Sequence, residues 1–139
     1  MQLGRNAEYS IKALVDLAEV GEATSAAISR RRAVPKAYAV KVLRLLEQAG
    51  LVRSKRGRGG GYSLARPAHR ITLLEAVEVA QGEIGINRCL FSRDGRCWEN
   101  GHCLLHSVWE RLWGAAVEEL RGVTIADLAA AGAAPDRAF

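Results

Sequence analysis

From Asn6 to Val20, apolar side chains recur at helical spacing, with Ala7, Ile11, Leu14, Val15 and Ala18 sharing one side. Gly21 stops the pattern, and Thr24 or Ser25 is placed to cap a short second helix through about Arg31. Pro35 then stands where a first-turn proline belongs and opens the stretch PKAYAVKVLRLLEQAG. In that third helix Tyr38, Val42, Leu45 and Ala49 mark the buried face, and Gly50 closes it. Three helices, the last two joined by a few residues, predict a helix-turn-helix.

The pattern then changes period. Residues 51–54 (LVRS) and 61–64 (GYSL) read as two short strands with KRGRGG between them. Glycines at 57, 59, 60 and 61 supply the positive φ angles of a hairpin tip, on which Lys55, Arg56 and Arg58 place cations. The same glycines do not make a dinucleotide cradle, because they lead into strand-like sequence and lack the third glycine of that fingerprint. A helix-turn-helix followed by a basic hairpin is a winged helix, in which the second helix of the pair enters the major groove of DNA and the wing reaches toward the narrower groove.

Helical periodicity returns at Thr72-Leu73-Leu74-Glu75, a capping box that starts a helix running to about Gln81. A turn-rich stretch follows, with Asp94-Gly95 and Asn100-Gly101 as turn dipeptides. From about Cys103 a long helix carries Leu105, Val108, Leu112, Ala115 or Ala116, and Leu120 in one stripe, broadened by Leu104, Trp109 and Trp113. So wide an apolar surface predicts packing against a second copy of the chain. Gly122 ends this helix, Thr124 caps a short last one, IADLAAA, and the tail AAPDRAF reads as frayed.

The fold class expected is therefore mainly α with a small β-hairpin wing: a winged helix-turn-helix plus a long dimerisation helix. Residues 1–82 are the DNA-binding domain and residues 83–104 a cysteine-bearing loop. Residues 105–132 form the dimerisation helix and the short helix after it, and residues 133–139 the tail.

Charge supports this division. Residues 1–70 hold 14 Lys/Arg against 5 Asp/Glu, a balance of +9, whereas residues 71–139 hold 6 against 10, a balance of −4. A basic half beside an acidic half points to a polyanionic partner for the first, here double-stranded DNA. A hydrophobic content of 49% over 139 residues is ample for a core without a disulfide scaffold. The start MQLGRNAEYS lacks the apolar region of a signal peptide, and no apolar run is long enough for a bilayer, so a cytoplasmic protein without a membrane partner is expected. No paired carboxylates, nucleophile–base motif or substrate loop stands out, so an enzyme is not expected.

All three cysteines, Cys89, Cys97 and Cys103, lie in RCLFSRDGRCWENGHCLLHSVW, with His106 three residues past the last. Cytosolic thiols are kept reduced, and an odd number leaves one over from any disulfide, so a metal centre is favoured over a closed bridge. Cys103 and His106 start a helix three residues apart and can project from one face. Arg88, Arg93 and Arg96 favour ionised thiols, the form that binds metal. Structural zinc usually shows tight Cys-x2–4-Cys knuckles, which are absent here, and the looser spacing suits an iron–sulfur cluster better. His69 and His102 are expected bystanders.

These residues together resemble the Rrf-two family of bacterial transcriptional regulators, which includes IscR-, NsrR- and RirA-like members. The likeness spans nearly the whole chain: the opening MQLGRNAEYSIKALVDLA, the wing GLVRSKRGRGGGYSLAR, the cysteine segment with CLLHSVW, and the closing VTIADL. It implies a dimeric winged-helix regulator in which one iron–sulfur cluster per subunit switches operator affinity, with repression as the expected effect. By the resemblance, Cys89, Cys97 and Cys103 match the cluster cysteines, and His106 matches the histidine that completes the site in IscR-like members. Glu8 matches the acidic ligand that the partner subunit supplies in others. The seven-residue first gap is shared with RirA-like members and leaves 2Fe–2S, the expectation here, against 4Fe–4S.

On the DNA side the resemblance makes Arg56 the wing arginine of the minor groove and Ala37 and Val40 the base-reading positions. Apolar side chains there can meet thymine methyls but make no hydrogen bonds to bases, so a different target sequence is expected. Lys36, Lys41 and Arg44 are the expected phosphate or guanine contacts, beside Lys55 and Arg58 in the wing, while Arg30-Arg31-Arg32 reads as a solvated helix end. The competing readings are a metal-free or zinc-bound winged-helix regulator that works by thiol oxidation, and a small iron–sulfur electron-transfer protein.

Overall fold

The computed structural model describes residues 3–82 and 104–132. Its elements are α1 (Arg5–Val20), β1 (Glu22–Ala23), α2 (Ser25–Arg32), α3 (Lys36–Gln48), β2 (Val52–Lys55), β3 (Gly61–Leu64), α4 (Leu73–Gln81), α5 (Leu104–Gly122) and α6 (Ile125–Gly132). A single 3-10 turn, Ala68–Arg70, joins the wing to α4. Helix-turn-helix, hairpin wing and long helix thus stand where the sequence predicts them.

The core lies where α1, α2 and α3 meet the base of the wing. Leu14, Leu17, Ile28, Leu43, Leu46, Leu51, Val52 and Ile71 are all buried there, and Ile125 of α6 completes the cluster from the far end of the chain. Two features depart from expectation. The buried side of α3 is Ala39, Val42, Leu43 and Leu46, while Tyr38 and Ala49 are exposed and Leu45 is half-buried. The face is turned by about one residue because α3 is held between α1, α2 and α4, and its run of aliphatic side chains fits more than one phase. Pro35 precedes α3 as its cap residue, with φ −56° and ψ 136°, and Lys36 is the first helical residue.

The sheet holds one strand more than expected. β3 lies between β2 and the two-residue β1, antiparallel to both, with Glu22 opposite Ser63 and Ser54 opposite Tyr62. β1 ties the loop after α1 to the wing. The glycines of the wing serve two purposes. Gly57 and Gly59 take positive φ, whereas at Gly60 a Cβ would sit 2.3 Å from the Lys55 carbonyl oxygen and at Gly61 it would sit 2.9 Å from that of Ala23.

Two reciprocal caps sit side by side. The Thr72 Oγ1 accepts from the Glu75 amide while Glu75 accepts from the Thr72 amide, and Thr124 and Asp127 repeat the arrangement at the start of α6. Between them the Leu73 amide donates to the Val123 carbonyl and the Ile125 amide to that of Ile71, at 2.8 and 2.9 Å. The C-terminal end of α5 is thereby stitched to the start of α4, and α6 packs back on α1.

α5 itself packs mainly against α4. None of its described side chains is buried: Leu105, Val108, Trp113, Ala116 and Leu120 are half-buried, Ala115 is exposed, and Trp109 and Leu112 are 37% and 56% exposed. The expected tail, residues 133–139, and the cysteine loop, including Leu104's side chain, lie outside the described residues.

Candidate nucleic-acid interface

One stripe of α3 faces outward, opposite the buried one. Ala37, Lys41 and Arg44 are exposed, Val40 is half-buried, and their spacing of three and four residues places them along one side of the helix. Lys36 is exposed at the first position of α3. Lys55 ends β2, Arg56 and Arg58 occupy the hairpin loop, and all three are exposed. Between the end of α3, the start of α2 and the base of the wing lies an open groove of about 400 Å³, with Arg44, Lys55 and Arg56 among its lining residues. The fold therefore brings Arg44 of α3 to one groove with Lys55 and Arg56 of the wing.

The ion pairs sort the basic residues further. Lys36, Lys41, Arg44, Lys55, Arg56 and Arg58 pair with no carboxylate among the described residues. Other cations are neutralised within the fold: Arg66 by Glu75 at 2.7 Å, Arg121 by Glu118 at 2.6 Å and Lys12 by Glu8 at 2.6 Å. Exposed cations left unneutralised by the fold are available to a phosphate backbone.

The Arg30-Arg31-Arg32 run is not a solvated helix end. Arg30 is exposed, but Arg31 donates from Nε and Nη2 to the two carboxylate oxygens of Asp16, at 3.0 and 2.6 Å. Arg32 donates from Nε to Asp16 at 3.0 Å and also pairs with Glu19. Asp16 is wholly buried on α1. Burial raises its pKa, but the hydrogen bonds and charges of Arg31 and Arg32 outweigh that and hold it below the usual carboxylate range. The same contact raises the pKa of Arg31. The sequence signal was a lone carboxylate between the buried positions Ala13 and Leu17, and α1 is thereby locked to the end of α2.

The turn after α2 is built as tightly. Ala33 takes the left-handed conformation, φ 51° and ψ 41°, and the Ser29 hydroxyl donates to the Val34 carbonyl at 2.7 Å. At the start of α3, Tyr38 meets Tyr9 of α1 edge-on, with ring centroids 5.4 Å apart. Lys12 sits 5.8 Å from the Tyr9 ring centroid. These contacts hold the start of α3 against α1 and the end of α2, and Tyr9 and Tyr38 lie too far apart in sequence for a local pattern to pair them.

Of the expected metal ligands, Cys89, Cys97 and Cys103 lie outside the described residues. His106 is half-buried in the first turn of α5, and its side chain has no hydrogen bond to a described residue. Glu8 lies in the first turn of α1, in its ion pair with Lys12. His69 is exposed on the 3-10 turn, and His102 is outside the described residues. Among the described residues no three potential metal ligands come together. By the chemistry of the donor set, three thiols and an imidazole fit an iron–sulfur cluster.

Comparison with known proteins agrees with this architecture. A model of the Rrf2 family, described as an iron-dependent transcriptional regulator, matches residues 3–131. The transcriptional regulator IscR of Escherichia coli is 30% identical over 131 residues, which are 92% of this chain and 80% of IscR. The structure of T. potens IscR superposes with a TM-score of 0.77 at 27% identity, covering 100% of this chain and 93% of that one. CymR, the global cysteine regulator of B. subtilis, gives 0.75 at 25% identity, with 94% and 98% covered. With a winged helix, an array of free cations and a family match over nearly its whole length, the chain belongs to the Rrf2 family of transcriptional regulators.

Proposed function

We propose that the protein acts as a cytoplasmic homodimer that represses transcription by binding an operator in double-stranded DNA, and that an iron–sulfur cluster held by its cysteine segment sets its affinity. The observation that carries the DNA part is the set of six unneutralised cations on α3 and the wing. Lys36, Lys41 and Arg44 approach the phosphates or guanines of a major groove, Ala37 and Val40 touch thymine methyls, and Arg56 enters the adjacent minor groove between Lys55 and Arg58.

The dimer reading rests on α5. Its exposed Trp109 and Leu112 give an apolar face that a second α5 can cover, which would fix the distance between two α3 helices and hence the half-site spacing. Cys89, Cys97 and Cys103 would hold the cluster as thiolates, with His106 as the fourth ligand and the partner subunit's Glu8 as its alternative. A bound 2Fe–2S or 4Fe–4S centre supplies chemistry that responds to oxidants, nitric oxide or iron supply. His106 links that segment to α5, and Gln81, whose Oε1 accepts from the Gly4 amide at 3.3 Å, links its other side to the start of α1. A cluster held between these two links would thus bear on both the dimer helix and the DNA-binding domain.

The test is metal and sulfide analysis of protein purified without oxygen, with its visible spectrum. Iron and sulfide in matching amounts, lost together in a C97A variant, support the reading. Stoichiometric zinc, or neither metal, would overturn the cluster part and leave thiol oxidation as the switch.

A further inference from the structure

Glu47 is the one carboxylate lining the groove between α3 and the wing, where Arg44, Lys55 and Arg56 also lie. A negative charge beside the expected path of a phosphate backbone is unfavourable unless it serves another purpose. Its contacts indicate that purpose. Glu47 stands one residue from the end of α3, and its Oε1 accepts from the backbone amide of Ser54 at 3.3 Å and from the Ser54 hydroxyl.

Ser54 belongs to β2, whose other side is an open edge because β3 lies between β1 and β2. The carboxylate therefore takes the place of a neighbouring strand at that edge and satisfies an amide that has no ladder partner. Two residues further on is Arg56. The α3 cations and the wing arginine are thus joined by a side-chain strut that bypasses the turn at Ala49–Gly50.

We propose that Glu47 is a positioning residue that sets the angle of the wing to α3, so that Arg56 and the α3 stripe engage one duplex together. This rests on the reading that α3 and the wing bind DNA. A charge-assisted bond to a strand edge is strong enough for its loss to be read as about a tenfold change in affinity.

The experiment uses the full chain and a duplex selected from a random-sequence pool by the wild-type protein. E47A should bind it about tenfold more weakly, and E47Q, which keeps the accepting oxygen, at least as tightly as wild type. R56A should cost less in the E47A background than alone, since a wing already out of place has less to lose. If Glu47 merely repels phosphate, E47A binds more tightly than wild type. That result, or an equal cost of R56A in both backgrounds, overturns the proposal. Hydrogen exchange of the free protein separates the strut from the DNA reading: E47A should speed exchange of the Ser54 amide. Unchanged exchange there overturns the strut even if no duplex is selected, and a wild type that selects none refutes the DNA reading alone.

Discussion

Replacing Asp16 by Asn removes one charge from the centre of the helix-turn-helix while keeping its shape. In the wild type the carboxylate is wholly buried and accepts three hydrogen bonds from Arg31 and Arg32. Removing one partner of a fully buried ion pair costs about 3–5 kcal/mol, mostly because the other charge is stranded. Here the side chains of Arg31 and Arg32 are 43% and 26% exposed, so water recovers part of that, and about 2–3 kcal/mol is the expected loss. This is a large share of the stability of a small domain but does not abolish folding. Urea unfolding followed by circular dichroism at neutral pH and fixed chain concentration measures it. The pH dependence adds a sign. The pKa of Asp16 is lowered in the fold, so its contribution is present above the unfolded value of about 3.9 and is lost as pH falls through the lower folded value. The difference between wild type and D16N should therefore shrink in acid. A D16N protein within about 0.5 kcal/mol of wild type, or a difference that persists undiminished in strong acid, would refute the reasoning.

Further outcomes follow from the same geometry. Ala33→Gly relieves a left-handed alanine and should raise stability by about 0.5–1 kcal/mol in the same urea assay, the gain being reduced by the added freedom of the unfolded chain. In DNA titrations at several salt concentrations, R44A and R56A should each lower the salt slope by about 1, whereas R31Q, whose guanidinium is committed to Asp16, should leave it unchanged. L112E puts a charge on the uncovered face of α5 and should shift the sedimentation mass from two chains to one; an unchanged mass would count against α5 as the dimer helix.

What the sequence made legible is what depends on local chemistry. The Thr72–Glu75 capping box, the glycine-rich hairpin and the lengths of the helices rest on side chains that act within a few residues of themselves, and each stands where expected. What it hid depends on partners distant in sequence. Arg31 and Arg32 look like any exposed basic run until Asp16, 15 and 16 residues earlier on another helix, is placed beside them. The buried face of α3 was turned by one residue because Ala39, Val40, Val42, Leu43, Leu45 and Leu46 offer aliphatic surface on several sides, and only the surrounding helices choose among them. β1 is two residues long and carries no period to detect. The candidate DNA surface was legible as composition, but which cations are free was not, since that required knowing which carboxylates the fold had already taken. The proposed cysteine site rests on spacing and family membership, with His106, its proposed fourth ligand, in the first turn of α5.

The central claim is that the occupant of the cysteine segment controls DNA binding. Its most direct test is the affinity of oxygen-free protein for its selected duplex, measured at one salt concentration before and after removal of iron. The account predicts a change of at least about tenfold, in whichever direction, with the same loss of response in C89A, C97A and C103A variants. Equal affinity with and without iron would contradict it.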